Sequence, residues 1–349
     1  MLAKSSLMQS IIQSFKTYTI KCVHVLVMLS LMVLLDACMV TRNQAKTISP
    51  EAKAFILHNH AVRIPIIPFT EPLTKMARKK VDNQFAPLFD QKVKALQLSI
   101  THDTISNVPV IFIQPRVLRN TEAVAIYIHG GAFLLGTAND LTALSMADKL
   151  GITVISVNYQ LSPKVKYPVA LNEIYAVYAE IIKRFAPNKT VVIGESAGGN
   201  LALSVVLKAR DSGLPMPAAL GLFTPWTDLT GAGDSYRANE HRDRVIAWKN
   251  QLDKATKAYV NESLMTDPLV SPAYADYSKG FPSAIITTGT RDLFLSNCVR
   301  LYWDLKTAKV PVELRIWEGM WHGFESEQHL PEGEKCIDEV ANYLIGFTK

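Results

Sequence analysis

Cysteine is scarce: four in 349 residues, at Cys22, Cys38, Cys298 and Cys336. No Cys-x-x-Cys pair and no Cys/His group at zinc spacing occurs, so neither a zinc site nor a disulfide scaffold is indicated. Cys298 and Cys336 are expected to be buried thiols. Charge is also sparse, at 19% of residues against 48% hydrophobic, which excludes a disordered or coiled-coil chain. Gly (17) and Pro (18) are too few for a collagen-like or low-complexity sequence. The net charge is +6, yet no basic run exceeds Arg78-Lys79-Lys80. A nucleic-acid footprint needs a clustered basic stripe, so a nucleic-acid partner is not expected. Without staples or metals, the chain is long enough to bury a large core, as two or three small domains or as one large α/β domain with an added cap.

One long apolar stretch stands out. Residues 22–40 read CVHVLVMLSLMVLLDACMV, preceded by Lys4, Lys16 and Lys21. A basic start, an apolar run over 25–35 and then small residues form a secretory signal pattern. Leu35-Asp36-Ala37-Cys38 resembles a bacterial lipobox with Cys38 as the lipidated residue, although Asp36 replaces the usual small apolar residue. The alternative is an uncleaved anchor, for which the run is just long enough. Residues 1–40 are therefore expected to be a signal, lipoprotein-like or membrane-anchor segment. The body would then be extracytoplasmic, either membrane-associated or secreted.

Residues 41–93 are expected to hold a spacer and N-terminal cap helices over 51–60, 73–85 and 89–93, broken by Pro65, Pro68, Pro72 and Pro87. From 94 onward the rhythm changes. Apolar strand candidates fall at 95–101, 108–114, 124–129, 153–158, 190–194, 219–223, 284–288 and 312–317. Helical patterns lie at 141–150, 169–185, 198–211, 294–309 and 334–347. Such alternation implies an α/β domain over 94–349. Its eight-stranded, mostly parallel sheet would have helices on both faces, with the first two strands antiparallel. Residues 231–265 interrupt the rhythm with charge and helix formers, and are read as an inserted cap segment.

The most informative stretch is TVVIGESAGGNLA from Thr190, a strand, then Gly-x-Ser-x-Gly, then a helix. A serine on so sharp a turn needs small residues two places to either side, and the turn lifts its hydroxyl above the sheet. Ser196 is therefore the candidate nucleophile. His129-Gly130-Gly131 stands at the end of a second strand candidate, 124–129. Backbone N–H groups can face a substrate oxygen where no side chain intervenes, so Gly130, Gly131 and Ala197 are candidate oxyanion donors. His129 is read as holding the glycine turn. A serine nucleophile needs a base, and the base needs a carboxylate, in the chain order Ser, Asp or Glu, His for this topology. Asp292 and His322 each follow a strand and satisfy that order, with Glu318 the rival acid.

With these stations placed, residues 90–349 resemble the α/β-hydrolase fold and, within it, the hormone-sensitive-lipase-like (bacterial family IV) carboxylesterases. The likeness rests on His129-Gly130-Gly131, Tyr159-Gln160-Leu161-Ser162-Pro163 and Gly194-Glu195-Ser196-Ala197-Gly198-Gly199. It extends to Pro225-Trp226-Thr227-Asp228-Leu229, Asp267-Pro268-Leu269-Val270-Ser271-Pro272, Asp292 and His322-Gly323-Phe324. Two positions depart from the family pattern: Ala132 where a third glycine is common, and Glu195 where aspartate is commoner. The resemblance implies cofactor-free, metal-free hydrolysis of a small-molecule carboxylic ester, of short to medium chain, through a Ser196–His322–Asp292 triad. It also implies a helical cap built from the N-terminal segment and residues 231–265, with Asp267 and Ser271 organising loops. An amidase, lactonase or lipase with the same triad, or a silent membrane-tethered binding protein, are the alternatives.

Overall fold

The computed structural model describes residues 46–58 and 69–349. The stretch 22–40, with Cys38, lies outside the described residues. Among those that are described, no helix is long and apolar enough to cross a membrane.

Two helices come first, α1 (Pro50–His58) and α2 (Glu71–Leu96). The sheet strands are β1 (Ser99–Ile105), β2 (Val108–Gln114), β3 (Val124–Ile128), β4 (Thr153–Val157), β5 (Thr190–Glu195), β6 (Ala219–Phe223), β7 (Ser283–Gly289) and β8 (Val312–Trp317). They lie in the order β1-β2-β4-β3-β5-β6-β7-β8. The β1–β2 and β2–β4 pairs are antiparallel, and every later pair is parallel. The helices between strands are α3 (Leu141–Leu150), α4 (Val169–Arg184) and α5 (Ala197–Asp211). After β6 come the short α6 (Ser235–Ala238) and α7 (Asp253–Tyr259), then α8 (Leu295–Thr307) and the final α9 (Pro331–Thr348).

The central strands are apolar on both faces because both are covered. Along β3, Val124, Ile126 and Ile128 join a core with α4, α5 and α8. Ala125 and Tyr127, pointing the other way, join a second core with α1, α3 and α9. Residues Cys298 and Cys336 are buried free thiols, one in each core.

The sequence expectations need correcting at the first strand and at Pro87. The first strand runs over Ser99–Ile105 rather than 95–101, because α2 continues to Leu96 and ends at Gln97 in the left-handed conformation. Burial along β1 is almost nil, so it carries no apolar signature. It is set instead by pairing with β2 across Ser106-Asn107, both at positive φ. Pro87 does not break α2. It stands on an exposed face, where water can take the carbonyl bond that the missing N–H gives up. Residues 231–265 hold only short helical pieces joined by turns, with non-helical backbone at Lys249 and Asn250. Polar side chains tie these turns down, Glu240 accepting from the amides of Trp248 and Lys249.

Candidate active site

The turn between β5 and α5 is sharp. Ser196 has φ 55° and ψ −120°, a region that only a well-braced residue occupies. The bracing is visible. Its N–H donates to Phe223 O at 2.9 Å, and its carbonyl accepts from Trp226 N at 3.0 Å and Asn200 N at 3.2 Å. The flanking glycines are required by close approach. A Cβ on Gly194 would stand 2.4 Å from Gly198 O, and one on Gly198 would stand 2.0 Å from Ile128 O. The hydroxyl therefore sits at the N-terminus of α5, whose first amides have no partner within the helix.

Asp292 follows β7 and His322 follows β8. His322 Nε2 lies 2.8 Å from Ser196 Oγ, and Nδ1 lies 3.2 Å from Asp292 Oδ1. With Asp292 accepting at Nδ1, that nitrogen carries the proton and Nε2 is the acceptor for the serine hydroxyl. Asp292, not Glu318, is the carboxylate at Nδ1. Its Oδ2 accepts from Thr288 Oγ1 at 2.7 Å, and its Oδ1 also accepts from Phe294 N at 2.8 Å, so the carboxylate cannot swing away. Burial disfavours the imidazolium of His322, but the Asp292 charge and hydrogen bond outweigh it, and the group titrates above the ordinary histidine value.

The strand end at His129-Gly130-Gly131 lies against this turn. An ideal Cβ on Gly130 would be 3.2 Å from Ser196 Cβ, and Gly131 has φ +108°, with Leu135 O 2.2 Å from where a Cβ would be. The loop continues in the left-handed region at Ala132 (φ 54°) and Phe133 (φ 62°). Gly131 O accepts from the amides of Leu134 and Leu135, which closes the turn. His129 is buried in it. Its Nδ1 is 2.8 Å from Gly130 O, its ring stacks on Tyr159 at 4.2 Å, and its carbonyl accepts from the Tyr159 hydroxyl at 2.8 Å. Burial, opposed by that backbone bond, lowers its pKa to about 4, so it stays neutral and structural.

A run of buried aromatic rings extends from His322 into the core. Phe294 meets the His322 ring edge-on at 4.8 Å, Trp226 stacks on Phe294 at 5.2 Å, Phe133 lies 5.6 Å from Trp226, and Tyr259 stacks on Phe133 at 3.8 Å. Asp267 and Ser271 bond elsewhere than to Ser196, His322 or Asp292. Asp267 Oδ1 accepts from Leu269 N, and Ser271 Oγ accepts from Leu229 N, which orders the loops that carry them.

The structure adds residues that motif reading missed. Asp243, from the segment after β6, accepts from His322 N at 3.2 Å. Glu325 is buried three residues past the histidine, and burial pushes it up to about 7. Its place beside His322-Gly323-Phe324 was a signal within reach. Asp243, in a charge-rich stretch with no motif, offered none.

A family profile described as the α/β-hydrolase fold matches residues 125–326. LipR of Mycobacterium tuberculosis, provisionally named an acetyl-hydrolase, is 35% identical over 247 residues, covering 70% of this chain and 79% of LipR. The crystal structure of an esterase, E25, superposes with a TM-score of 0.82 at 28% identity, covering 89% of this chain and 98% of that one. A hormone-sensitive lipase from a metagenome library superposes at 0.70, also at 28% identity, covering 79% and 97%. The chain belongs to the α/β-hydrolase family. Within it, it is a carboxylesterase-like hydrolase of the hormone-sensitive-lipase type.

Proposed function

We propose that the protein is a serine hydrolase that cleaves carboxylic esters of short to medium acyl chain through an acyl-enzyme. The observation that carries this reading is the 2.8 Å contact of Ser196 Oγ with His322 Nε2, backed by Asp292 at Nδ1. His322 takes the hydroxyl proton as Ser196 Oγ attacks the ester carbonyl, and Asp292 stabilises the imidazolium that forms. The amides of Gly130, Gly131 and Ala197 take the developing oxyanion. Each such donor is commonly worth about 10²–10³ in turnover. The imidazolium then protonates the leaving alkoxide, and neutral His322 activates water to release the acid. No metal or cofactor has a part in this scheme. The acetyl-hydrolase name of LipR supports a short acyl chain.

The test is Ser196→Ala. Turnover of p-nitrophenyl acetate should fall by about 10⁶, and fluorophosphonate labelling should vanish, while the thermal midpoint is kept. Wild-type turnover in that variant would sink the reading. A p-nitrophenyl ester series from acetate to palmitate measures the acyl length.

We further propose that residues 1–40 deliver the body to an extracytoplasmic membrane surface, with Cys38 as the lipidation site. The basic and apolar pattern around 25–35 supports this. Mass spectrometry of the mature N-terminus tests it: an unmodified Met1 on a soluble cytosolic protein would refute it.

A further inference from the structure

Asp243 is a carboxylate that the hydrolytic scheme leaves unused. It comes from the segment between β6 and β7 and is buried. One oxygen, Oδ1, accepts from the amides of Val245 at 2.8 Å and Ile246 at 3.0 Å, a local turn that fixes the carboxylate. The other, Oδ2, accepts from Leu293 N at 2.9 Å and His322 N at 3.2 Å. Leu293 is the neighbour of Asp292. A single oxygen thus bonds the loop that carries the acid and the loop that carries the base, which enter the site from different strands. A carboxylate serving only its own turn would be satisfied through Oδ1. It would not need to cross to two loops 50 and 79 residues away.

We propose that Asp243 is a positioning residue: it holds the Asp292 and His322 loops in register and puts a second negative charge behind the imidazolium. The proposal rests on the reading of Ser196, His322 and Asp292 as a triad. The two loops are also bonded directly, Arg291 N donating to Met320 O at 2.9 Å and Gly319 N to Thr290 Oγ1 at 2.8 Å, but it is Asp243 that accepts from the amide of His322 itself, and a shift of about 1 Å at a reacting group can cost about 10²-fold in rate. The charge acts separately. His322 faces three carboxyls: Asp292 from the loop after β7, Asp243 from the segment after β6, and Glu325 from the turn after the base itself. The Ser196 hydroxyl, on the remaining side, is neutral. Asp243 in turn faces Asp292 and His322.

Asn is nearly isosteric with Asp, but its NH₂ group cannot accept the two N–H bonds that one oxygen now takes. In the full chain, Asp243→Asn should lower kcat for p-nitrophenyl acetate about 10- to 100-fold and leave KM within about 2-fold. It should also move the acid limb of the kcat/KM profile to lower pH, because losing a nearby negative charge makes the imidazolium easier to deprotonate. Asp243→Glu keeps the charge and displaces the oxygens, so its kcat should fall while its acid limb stays in place. A wild-type kcat with an unmoved acid limb in Asp243→Asn would overturn the proposal, as would a drop in melting temperature with no kinetic change. If the Asn variant does not fold, a wild-type kcat in Asp243→Glu overturns it equally. Ser196→Ala is run alongside. If it still turns over, the triad reading itself has failed; if it is dead while the Asp243 variants behave as wild type, only the positioning role has.

Discussion

The hydroxyl of Tyr127 lies 3.2 Å from the Glu195 carboxyl, and the same hydroxyl is 2.9 Å from Asp140. Tyr127 belongs to the strand that leads into the glycine turn, and Glu195 immediately precedes Ser196. The two halves of the site are therefore joined from behind, beneath the reacting atoms. Tyr127 is buried and the residues Asp140 and Glu195 are half-buried, and desolvation, with the Asp140 and Glu325 charges added, holds Glu195 well above the usual carboxylate range. Asp140 also caps α3 by accepting from Thr142 N and Ala143 N.

Tyr127→Phe removes the shared hydroxyl and leaves two half-buried carboxyls short of a donor. The expected cost is about 1–3 kcal/mol of stability, read as a lower urea midpoint at unchanged slope. A midpoint equal to wild type would show that the two carboxyls satisfy each other.

Ester hydrolysis should depend on one ionisation in the neutral range. The base must be neutral, and the folded pKa of His322 is raised above 6.5, so kcat/KM should climb with pH through a midpoint above that value. The stability sign is opposite. The His322–Asp292 pair contributes fully below the unfolded histidine value of about 6.5 and is lost as pH rises through the raised folded value. Melting temperatures and initial rates over one buffer series check both.

Gly198→Ala places a methyl 2.0 Å from Ile128 O and 2.4 Å from His129 O. These are backbone atoms at the end of β3 and the start of the glycine turn, and cannot rotate aside. Destabilisation of about 1–3 kcal/mol or more is expected, together with loss of fluorophosphonate labelling. A variant that labels at the wild-type rate would contradict this packing.

Cys298 and Cys336 should be silent to iodoacetamide in the native state. Both are fully buried, and burial pushes both thiols well above their ordinary range. Peptide mapping after labelling should find them modified in urea and unmodified without it. Native labelling of either would mean that its core opens.

Much of the fold was legible because its signals are local. Seven of the strands follow from apolar runs of the right length, and Ser196 from a turn whose two glycines are forced by contacts within five residues or with the adjoining strand. The chain order of Ser196, Asp292 and His322 could be read against strand ends. Their separations of 2.8 and 3.2 Å could not, since each loop's course depends on what packs against it. The first strand was misplaced for the same reason: its residues are exposed, and only the hairpin partner makes them a strand.

The amino-acid sequence by itself determined the layered α/β class, the nucleophile turn and the glycine turn, because backbone geometry and side-chain periodicity act over a few residues. Tertiary structure alone decided that α2 passes through Pro87, that Tyr127 joins Glu195 to Asp140, and that Asp243 reaches His322. A buried carboxylate is held by whichever donors the fold brings to it, and those donors stand tens of residues away along the chain.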